Sequence, residues 1–412
     1  MKRSITFALT AATLLGCHDA VEPTLSPRLA ADAAAPADSP YSYMELGSLG
    51  GGATAQFIND AGQVAGVSGT AAGGAHAFVW QDGQMRDVGT LGGSESRVSG
   101  MNGRGQIVGL SATASGETHA FRWTDGTMED IGPIGGQGAS RVFINQRGEV
   151  AWTAPTPSGP HAMLWSDGSV TDLGTLGGAS SVAGGINERG EVVGTSATSA
   201  PGEQDHAFVW AHGVMQDLGT LGGASSLGLG LDDRGQAMGV WSAGNDWPGS
   251  IRGFVWDHGQ MTDLGLLQPY LQATEPVAMN QRGDIIGQSW QAAYYRNSER
   301  AFLWHDGVMS ALPNPPHDPY DADRNLKATA LNDRGQIVGT YSSFVTNPPH
   351  PVHLALAWQD GIVSLLPTPG PTSEPAPLAI NNRGEIVGGV WHDGASHAAL
   401  WRPTGTGAAA QP

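Results

Sequence analysis

One phrase recurs along this chain, and it limits the possible folds more than any other feature. Residues 206–223 read HAFVWAHGVMQDLGTLGG, and residues 76–93 read HAFVWQDGQMRDVGTLGG. Each copy carries an Asn-x-x-Gly turn and a tryptophan, spaced 42 to 54 residues from the next. Repeats of this length are single supersecondary units that bury apolar surface against their neighbours. The turns begin at Asn59, Asn102, Asn145, Asn187, Asp232, Asn280, Asn332 and Asn381, and the tryptophans are Trp80, Trp123, Trp165, Trp210, Trp256, Trp304, Trp358 and Trp401.

The copy over residues 182–219 shows what one unit contains. VAGGIN alternates as a strand does, the turn at Asn187 follows, and EVVGTS returns. HAFVW is a third strand, and His212-Gly213 forms a tight hairpin before the fourth strand, VMQDLG. Four short antiparallel strands per unit are typical of a propeller blade. The sequence therefore predicts an all-β, eight-bladed propeller of four-stranded antiparallel blades, in which the repeat tryptophans pack in the core.

The two ends of the array predict how the ring closes. The array opens with a lone fourth strand in YMELGSLGG, residues 43–51, and it ends at Trp401 after a third strand. Eight blades are complete only if the N-terminal strand joins the three C-terminal strands. Such closure hides sheet edges that would otherwise be unpaired. We expect the propeller to span residues 43–403.

A basic residue stands four positions before most repeat tryptophans, with an acid eleven positions after it. These positions lie on one face around a two-residue hairpin, so we expect a structural His–carboxylate contact between packed blades. The alternative, a ring of histidines that ligates metal, requires side chains on different radii to converge. The pairs are His76 with Asp87, His119 with Asp130, His161 with Asp172, His206 with Asp217, Arg252 with Asp263, and His397 with Glu45.

INERGEVVGTS, HAFVW and LGTLGG together resemble the HAF-repeat family, named for its His-Ala-Phe triplet. The resemblance covers nearly all of residues 43–403; copies one to four match closely, and copies five to eight drift to RGFVW, RAFLW, LALAW and HAALW. It implies a bacterial, extracytoplasmic protein. It supplies no catalytic residue.

The N-terminus resembles a lipoprotein signal peptide over residues 1–17. Lys2 and Arg3 precede a short apolar run, and Leu14-Leu15-Gly16-Cys17 is similar to a lipobox whose cysteine is lipidated. The alternative is an ordinary secretory peptide. Residues 18–42, rich in Ala, Pro and Asp, are expected to form a disordered tether, and residues 404–412 a disordered tail. By this resemblance the protein is anchored through Cys17 to the bacterial outer membrane or cell surface.

The net charge of −18, with only Lys2 and Lys327 as lysines, excludes two classes of partner. Nucleic acid requires a dense basic face, and anionic lipid requires a basic patch. We therefore expect no nucleic-acid partner, membrane contact only through lipidated Cys17, and a monomer.

Catalytic motifs are absent from the sequence: there is no G-x-S-x-G elbow, HExxH, CxxC, P-loop or dinucleotide fingerprint. The glycine-rich LGTLGG lacks the lysine and helix of a phosphate site, so it is read as a connector. One segment, HDPYDADRN, spaces Asp321, Asp323 and Asn325 as in the first half of a calcium loop. The alternative is an acidic solvated loop, and no other cofactor is predicted.

Aromatic residues that interrupt the repeat are the candidates for partner binding. They favour a non-catalytic binding or scaffold module that recognises a protein or glycan with loops of blades five to eight. The alternative is a hydrolase of extracellular glycans or esters with acid or base among Asp246, Glu299, Asp321 and Asp323; a third reading is a purely structural surface protein. The aromatic candidates are Trp241, Trp247, Trp290, Tyr294, Tyr295, Tyr320, Tyr341 and Phe344.

Overall fold

A computed structural model describes residues 39–135, 141–199, 204–242, 251–291, 299–315, 325–346 and 349–405. Their strands form eight four-stranded antiparallel sheets, which confirms the predicted propeller. First strands of successive blades contact one another around the axis, and fourth strands contact little beyond their own blade. Over these ranges, no helix has the length and apolar character needed to cross a membrane.

Each of the first seven blades takes four consecutive strands, and blade eight takes three from the C-terminal end and one from the N-terminal end. The strands of the N-terminal half are β1 Tyr41–Glu45, β2 Gly50–Ile58, β3 Val64–Thr70, β4 Ala75–Gln81, β5 Gln84–Gly89, β6 Gly92–Met101, β7 Ile107–Thr113, β8 Thr118–Thr124, β9 Thr127–Pro133, β10 Phe143–Ile144, β11 Val150–Thr156, β12 Gly159–Ser166, β13 Ser169–Asp172, β14 Gly177–Ile186, β15 Val192–Thr198, β16 Asp205–Ala211 and β17 Val214–Gly219. The remaining strands are β18 Ser226–Leu231, β19 Ala237–Ser242, β20 Ile251–Asp257, β21 Gln260–Asp263, β22 Ala273–Met279, β23 Ile285–Trp290, β24 Arg300–His305, β25 Val308–Ala311, β26 Asn325–Leu331, β27 Ile337–Thr346, β28 Pro349–Gln359, β29 Ile362–Leu365, β30 Glu374–Ile380, β31 Ile386–His392 and β32 Ala395–Pro403.

The ring closes as the sequence predicts. β1 pairs antiparallel with β32, with Tyr43 opposite Trp401 and Glu45 opposite Ala399. β1 begins at Tyr41, so Tyr41 and Ser42 belong to the sheet and not to the tether where the composition placed them. Their partners are Pro403 and Arg402, at the end of β32.

The apolar core lies in the seams between blades. Eight clusters of buried side chains each join two neighbouring blades, including a cluster that joins blades eight and one. Successive residues of a strand face opposite seams: Val192 packs toward blade three and Val193 toward blade five. This explains why every second strand begins with two consecutive apolar residues, since both faces of each sheet are covered. Of the repeat tryptophans, Trp123, Trp210 and Trp304 are only partly buried.

The phenylalanine of the HAF triplet requires a glycine opposite it. A Cβ on Gly194 would lie 2.1 Å from the carbonyl oxygen of Val182 and 2.8 Å from the ring of Phe208. Blade three changes both members, with Trp152 opposite Met163. The ring and the small residue are thus one packing unit.

The strand order separates two kinds of connection onto two ends of the propeller. The Asn-x-x-Gly turns and the Asp-Gly hairpins lie at one end, which we call the turn face. The loops between second and third strands and the links between blades lie at the other end, the loop face. The hairpins are tight because both central residues have positive φ, as in Asp82 (50°) and Gly83 (82°).

Candidate functional site

The six predicted pairs of a basic and an acidic residue, which we call the ladder pairs, are all in contact near the loop face. The histidine Nδ1 atoms lie 2.8–2.9 Å from the aspartates, Arg252 Nη2 lies 2.7 Å from Asp263, and His397 Nδ1 lies 3.2 Å from Glu45. Each contact joins the third and fourth strands of one blade, so the expectation of a contact between blades is wrong. The carboxylates are also less buried than expected, since the Asp172 side chain is 47% exposed beside a His161 side chain that is 12% exposed.

Each member of the HAF triplet has its own structural partner. Asp217, the partner of His206, also accepts the N–H of Gly219 at 2.8 Å and so shapes the link that leaves the blade. The N–H of Ala207 donates to Ser226 Oγ of the next blade at 2.9 Å. Phe208 is fully buried in the seam. The triplet therefore builds the blade and the junction to the next one.

A ring of asparagine amides runs around the turn face. Each turn asparagine donates its Nδ2 to the carbonyl of the equivalent residue one blade on, at 2.8–3.2 Å. Asn381 of blade eight donates to Asn59 of blade one at 3.0 Å, so the bonds cross the closure seam. This series of hydrogen bonds is interrupted once, at Asp232, because a carboxylate cannot donate to the carbonyl of Asn280.

The residues that follow these asparagines form a second ring, which is rich in acids. Their N–H groups, except that of Asp60, donate to the side chain of the equivalent residue one blade on; the counterpart of Asp60 is Gly103, which has no side chain. Glu188, for example, donates to Asp233 at 2.8 Å. Burial, with Asp233 nearby, raises the pKa of Glu188. The acidic members of this ring are Asp60, Glu188, Asp233 and Asp333.

Seven of the eight turns carry an arginine at the third position, with Ala61 in blade one, and Arg189 shows how such an arginine contacts the next blade. Arg189 donates to Glu191 of its own blade at 2.6 Å, and its guanidinium lies against Gly235 of the next turn. A Cβ on Gly235 would meet Arg189 Nη2 at 2.3 Å, and the φ of that glycine is 90°. The turn face is therefore occupied by side chains that bind neighbouring blades.

The aromatic residues predicted to bind a partner do not form an exposed platform. Trp290 is 5% exposed and Tyr341 is 3% exposed, while Trp241 is partly buried in the seam of blades four and five. In blade seven, Leu354 and Leu365 replace both ladder residues, and Tyr341 packs with them. The prediction of exposed binding rings is wrong for Trp290 and Tyr341, which are buried. Trp241 and Tyr341 fill seam positions where the early copies carry a serine. Trp247, Tyr294, Tyr295 and Tyr320 lie outside the described residues, and of Phe344 only the backbone is described.

Two exposed aromatic residues lie at the loop face where the pattern does not single them out. Tyr270, in the link between blades five and six, is 59% exposed, and Trp391, near the end of β31, is 48% exposed. Leu221 is also exposed, in the link between blades four and five. The sequence does carry one indication that Tyr270 is exposed, because this residue lies in a link longer than the GTLGG links of the early copies.

The carboxylate and calcium candidates can be placed only in part. Glu299 is buried and forms an ion pair with Lys327, whose Nζ lies 2.9 Å from Glu299 Oε2. Asn325 begins β26 with its Oδ1 buried and without a hydrogen-bond partner within the described ranges. Asp246, Asp321 and Asp323 lie outside the described residues, so the calcium loop stays a prediction.

A group of ligand-type side chains occurs at the closure of the ring. Glu45, His392 and His397 bring their oxygen and nitrogen atoms within 4.8 Å of one another. Glu45 Oε1 lies 3.0 Å from His392 Nε2, and the two imidazoles stack with centroids 3.9 Å apart. Within the described residues this is the one group of three or more His, Cys, Asp or Glu side chains so placed. Within the same described residues, the ladder histidines of different blades do not converge on a common centre.

No family model and no curated protein sequence matches this chain. Among solved structures, the β-propeller domain of the Trilobed protease from Pyrococcus furiosus is 11% identical, with a TM-score of 0.46, over 74% of this chain and 93% of that chain. YCF48 bound to D1 peptide is 13% identical, with a TM-score of 0.45, over 92% and 99%. TolB from Acinetobacter baumannii is 16% identical, with a TM-score of 0.37, over 64% and 63%.

Proposed function

We propose that this protein is a non-catalytic binding or scaffold propeller whose loop face, over blades five to eight, contacts a protein or glycan partner outside the cytoplasm. The observation that carries the proposal is the difference between the two faces. The turn face is tied together by side chains of neighbouring blades, whereas the loop face exposes Tyr270 and Trp391. Exposed aromatic side chains on a rigid scaffold are typical of recognition surfaces.

Site-specific photo-crosslinking in the producing cell tests which face meets the partner. A photoreactive phenylalanine placed at Tyr270 or Trp391 should give a discrete crosslinked species. The same residue at Val214 or Ile362, exposed positions that follow the hairpins on the turn face, is the matched control. Crosslinks of equal yield from both faces, or only from the turn face, would contradict the proposal.

A purified-component experiment separates the two partner classes. Tyr270→Ser with Trp391→Ser should weaken binding to a crosslinked partner, or to a soluble envelope glycan, at least tenfold, because each aromatic ring contributes buried area. Val214→Ser with Ile362→Ser should bind as the unmodified protein does. Undiminished binding by the first double variant would show that the contact lies elsewhere.

The proposed anchor at Cys17 is tested separately. Labelled fatty acid should be incorporated into the full-length protein and not into Cys17→Ser, which should appear in the soluble fraction. Label retained by Cys17→Ser would exclude this residue as the anchor.

A further inference from the structure

We propose that Glu45, His392 and His397 form a binding site for a divalent transition metal of the Zn²⁺ class, which fastens the N-terminal strand to the C-terminal blade. Glu45 ends β1, His392 ends β31 and His397 lies in β32, and these three strands are adjacent in blade eight. Two imidazoles and one carboxylate are a common protein ligand set for Zn²⁺, with a fourth position left to water.

The distances suit such an ion. Glu45 Oε1 lies 3.0 Å from His392 Nε2, and Glu45 Oε2 lies 3.2 Å from His397 Nδ1. In a tetrahedral site with bonds of about 2.0–2.1 Å, neighbouring ligand atoms are about 3.3–3.5 Å apart. Glu45 already reaches both histidines, whereas the stacked imidazoles must rotate out of their nearly parallel arrangement before both nitrogen atoms can bind one ion. Glu45 is 38% exposed, which leaves access for an ion and for its water.

The surroundings of His392 favour a cation at the centre of the group. Its Nδ1 lies 3.2 Å from Asp393 Oδ2, as in the carboxylate–histidine–metal arrangements that orient a ligand imidazole. The atom that faces Glu45 Oε1 is Nε2, and without a metal ion a hydrogen bond joins the two atoms. A metal ion would take the place of that hydrogen bond and would bind both histidines at once.

The pair of His397 with Glu45 differs from the pair of blade three. The Nε2 of His397 is buried and has no hydrogen-bond partner among the described residues, whereas Nε2 of His161 in blade three lies 3.1 Å from Ser158 Oγ. The atom that faces Glu45 is Nδ1, so the unpartnered Nε2 distinguishes this pair but is not a ligand atom of the proposed site.

The added histidine is specific to the closing blade. The register places Thr70, Thr113, Thr156 and Thr198 of the first four blades at the position of His392. In blade eight a two-residue Asp393-Gly394 turn, with φ values of 50° and 78°, brings His392 back beside His397. The site therefore occurs at the one blade whose strands come from both ends of the propeller, where a metal ion would add most to closure.

The test uses full-length protein freed of metal and then titrated with Zn²⁺, with Co²⁺ as the spectroscopic probe. We expect one tightly held Zn²⁺ per chain, a visible Co²⁺ band typical of low coordination number that Zn²⁺ abolishes, and a rise in unfolding temperature of about 3 °C at 100-fold excess over the dissociation constant. His392→Thr, which restores the residue of the early copies, should weaken Zn²⁺ binding at least 100-fold while the metal-free protein melts as before. Glu45→Gln should weaken it similarly.

His206→Ala is the matched control, since it removes a ladder histidine that has no third ligand. It should leave Zn²⁺ binding unchanged. Amide exchange across Tyr41–Glu45 should slow at least tenfold on adding Zn²⁺ to the unmodified protein, and not in His392→Thr. Equal Zn²⁺ binding by His392→Thr and the unmodified protein would overturn the site. Binding without slower exchange in β1 would overturn its role in closure.

Discussion

The two faces of this propeller come from one repeat, yet they are held together by different contacts. On the turn face, side chains reach from each blade to the next, and the asparagine ring crosses every seam except the one after Asp232. On the loop face, the ladder contacts stay within a blade, and they are absent from blades six and seven, where Ala311 and Leu365 replace the acid. A contact between blades depends on the shape of two neighbouring turns, whereas a contact inside a blade depends on that blade alone; either kind can be lost singly, as at Asp232.

This difference explains where the chain can vary. A turn that changes shape would disturb two seams, so insertions on the turn face would be costly. The connections at residues 243–250, 291–299 and 312–324 join strands that end at the loop face, where their length disturbs no ring. Variation on this face is therefore compatible with a fixed scaffold, as in other folds that carry recognition on loops.

The largest effect should follow from removing the strand that closes both faces. Deleting Tyr41–Glu45 exposes the edge of β32 and removes Tyr41 and Tyr43 from the seam of blades seven and eight. We expect unfolding or association in gel filtration, with a loss of stability greater than for any substitution below. The matched control, Ser42→Ala at an exposed position of the same strand, should change little. A deletion variant that remains monomeric with unchanged melting would show that closure is not required.

The asparagine ring should be the next most sensitive element. Asn187→Ala removes the acceptor of the N–H groups of Arg189 and Glu191 and the donor to Asp232, all within a buried turn. We expect a loss of about 2–3 kcal/mol in the free energy of unfolding, measured by denaturant titration. A loss below about 0.5 kcal/mol would show that the ring is not a stabilising element.

A substitution at Asp232 tests in the opposite direction whether the asparagine ring stabilises the fold, because it should raise the free energy of unfolding. Asp232→Asn supplies the missing Nδ2 donor to the carbonyl of Asn280, and gives up a contact with the half-exposed guanidinium of Arg234. Because the carboxylate of Asp232 is buried at a desolvation cost while the guanidinium remains half in water, we expect a net gain of about 1 kcal/mol. Asp233→Asn next to it changes charge equally without adding a ring bond, and is the control. A destabilised Asp232→Asn variant would mean that the Arg234 pair is worth more than the completed ring.

The sequence predicts some features of this structure and not others, for physical reasons. Strand number, closure and the ladder pairs follow from the repeat, because identical units in a ring must occupy equivalent positions. The burial of Trp290 and Tyr341 does not follow, since an aromatic residue that breaks a repeat can fill a seam or face water. The His392–His397 stack also escapes the pattern: it depends on a two-residue turn that brings together residues of different repeat positions.

A ladder pair should contribute less to the free energy of unfolding than a turn asparagine of the ring does. His161→Ala leaves Asp172 half-exposed, where water can solvate the carboxylate, and Asp172 still accepts the N–H of Gly174 at 2.9 Å. We expect a loss of about 0.5–1 kcal/mol, smaller than that of Asn187→Ala. His206→Ala should behave alike in the next blade. If either cost about 3 kcal/mol, the supposed difference between the faces would disappear.

The smallest effect concerns the acidic ring on the turn face, and it should depend on pH. Burial and the neighbouring Asp233 raise the pKa of Glu188, so its ionised form destabilises the folded state relative to a neutral side chain. Glu188→Gln keeps an oxygen that can accept the N–H of Gln146, now accepted at 2.9 Å, and removes the charge. A raised carboxyl pKa favours folding fully below the unfolded value of 4.5 and loses that benefit as the pH rises through the folded value. The Gln variant should therefore melt slightly higher than the unmodified protein at about pH 8, and the difference should vanish at about pH 4. The control is Asp82→Asn, an equal charge change at an exposed hairpin, which should show no such pH dependence. If the Gln variant melts lower than the unmodified protein at about pH 8, the carboxylate stabilises the ring as a hydrogen-bond acceptor by more than its charge destabilises it.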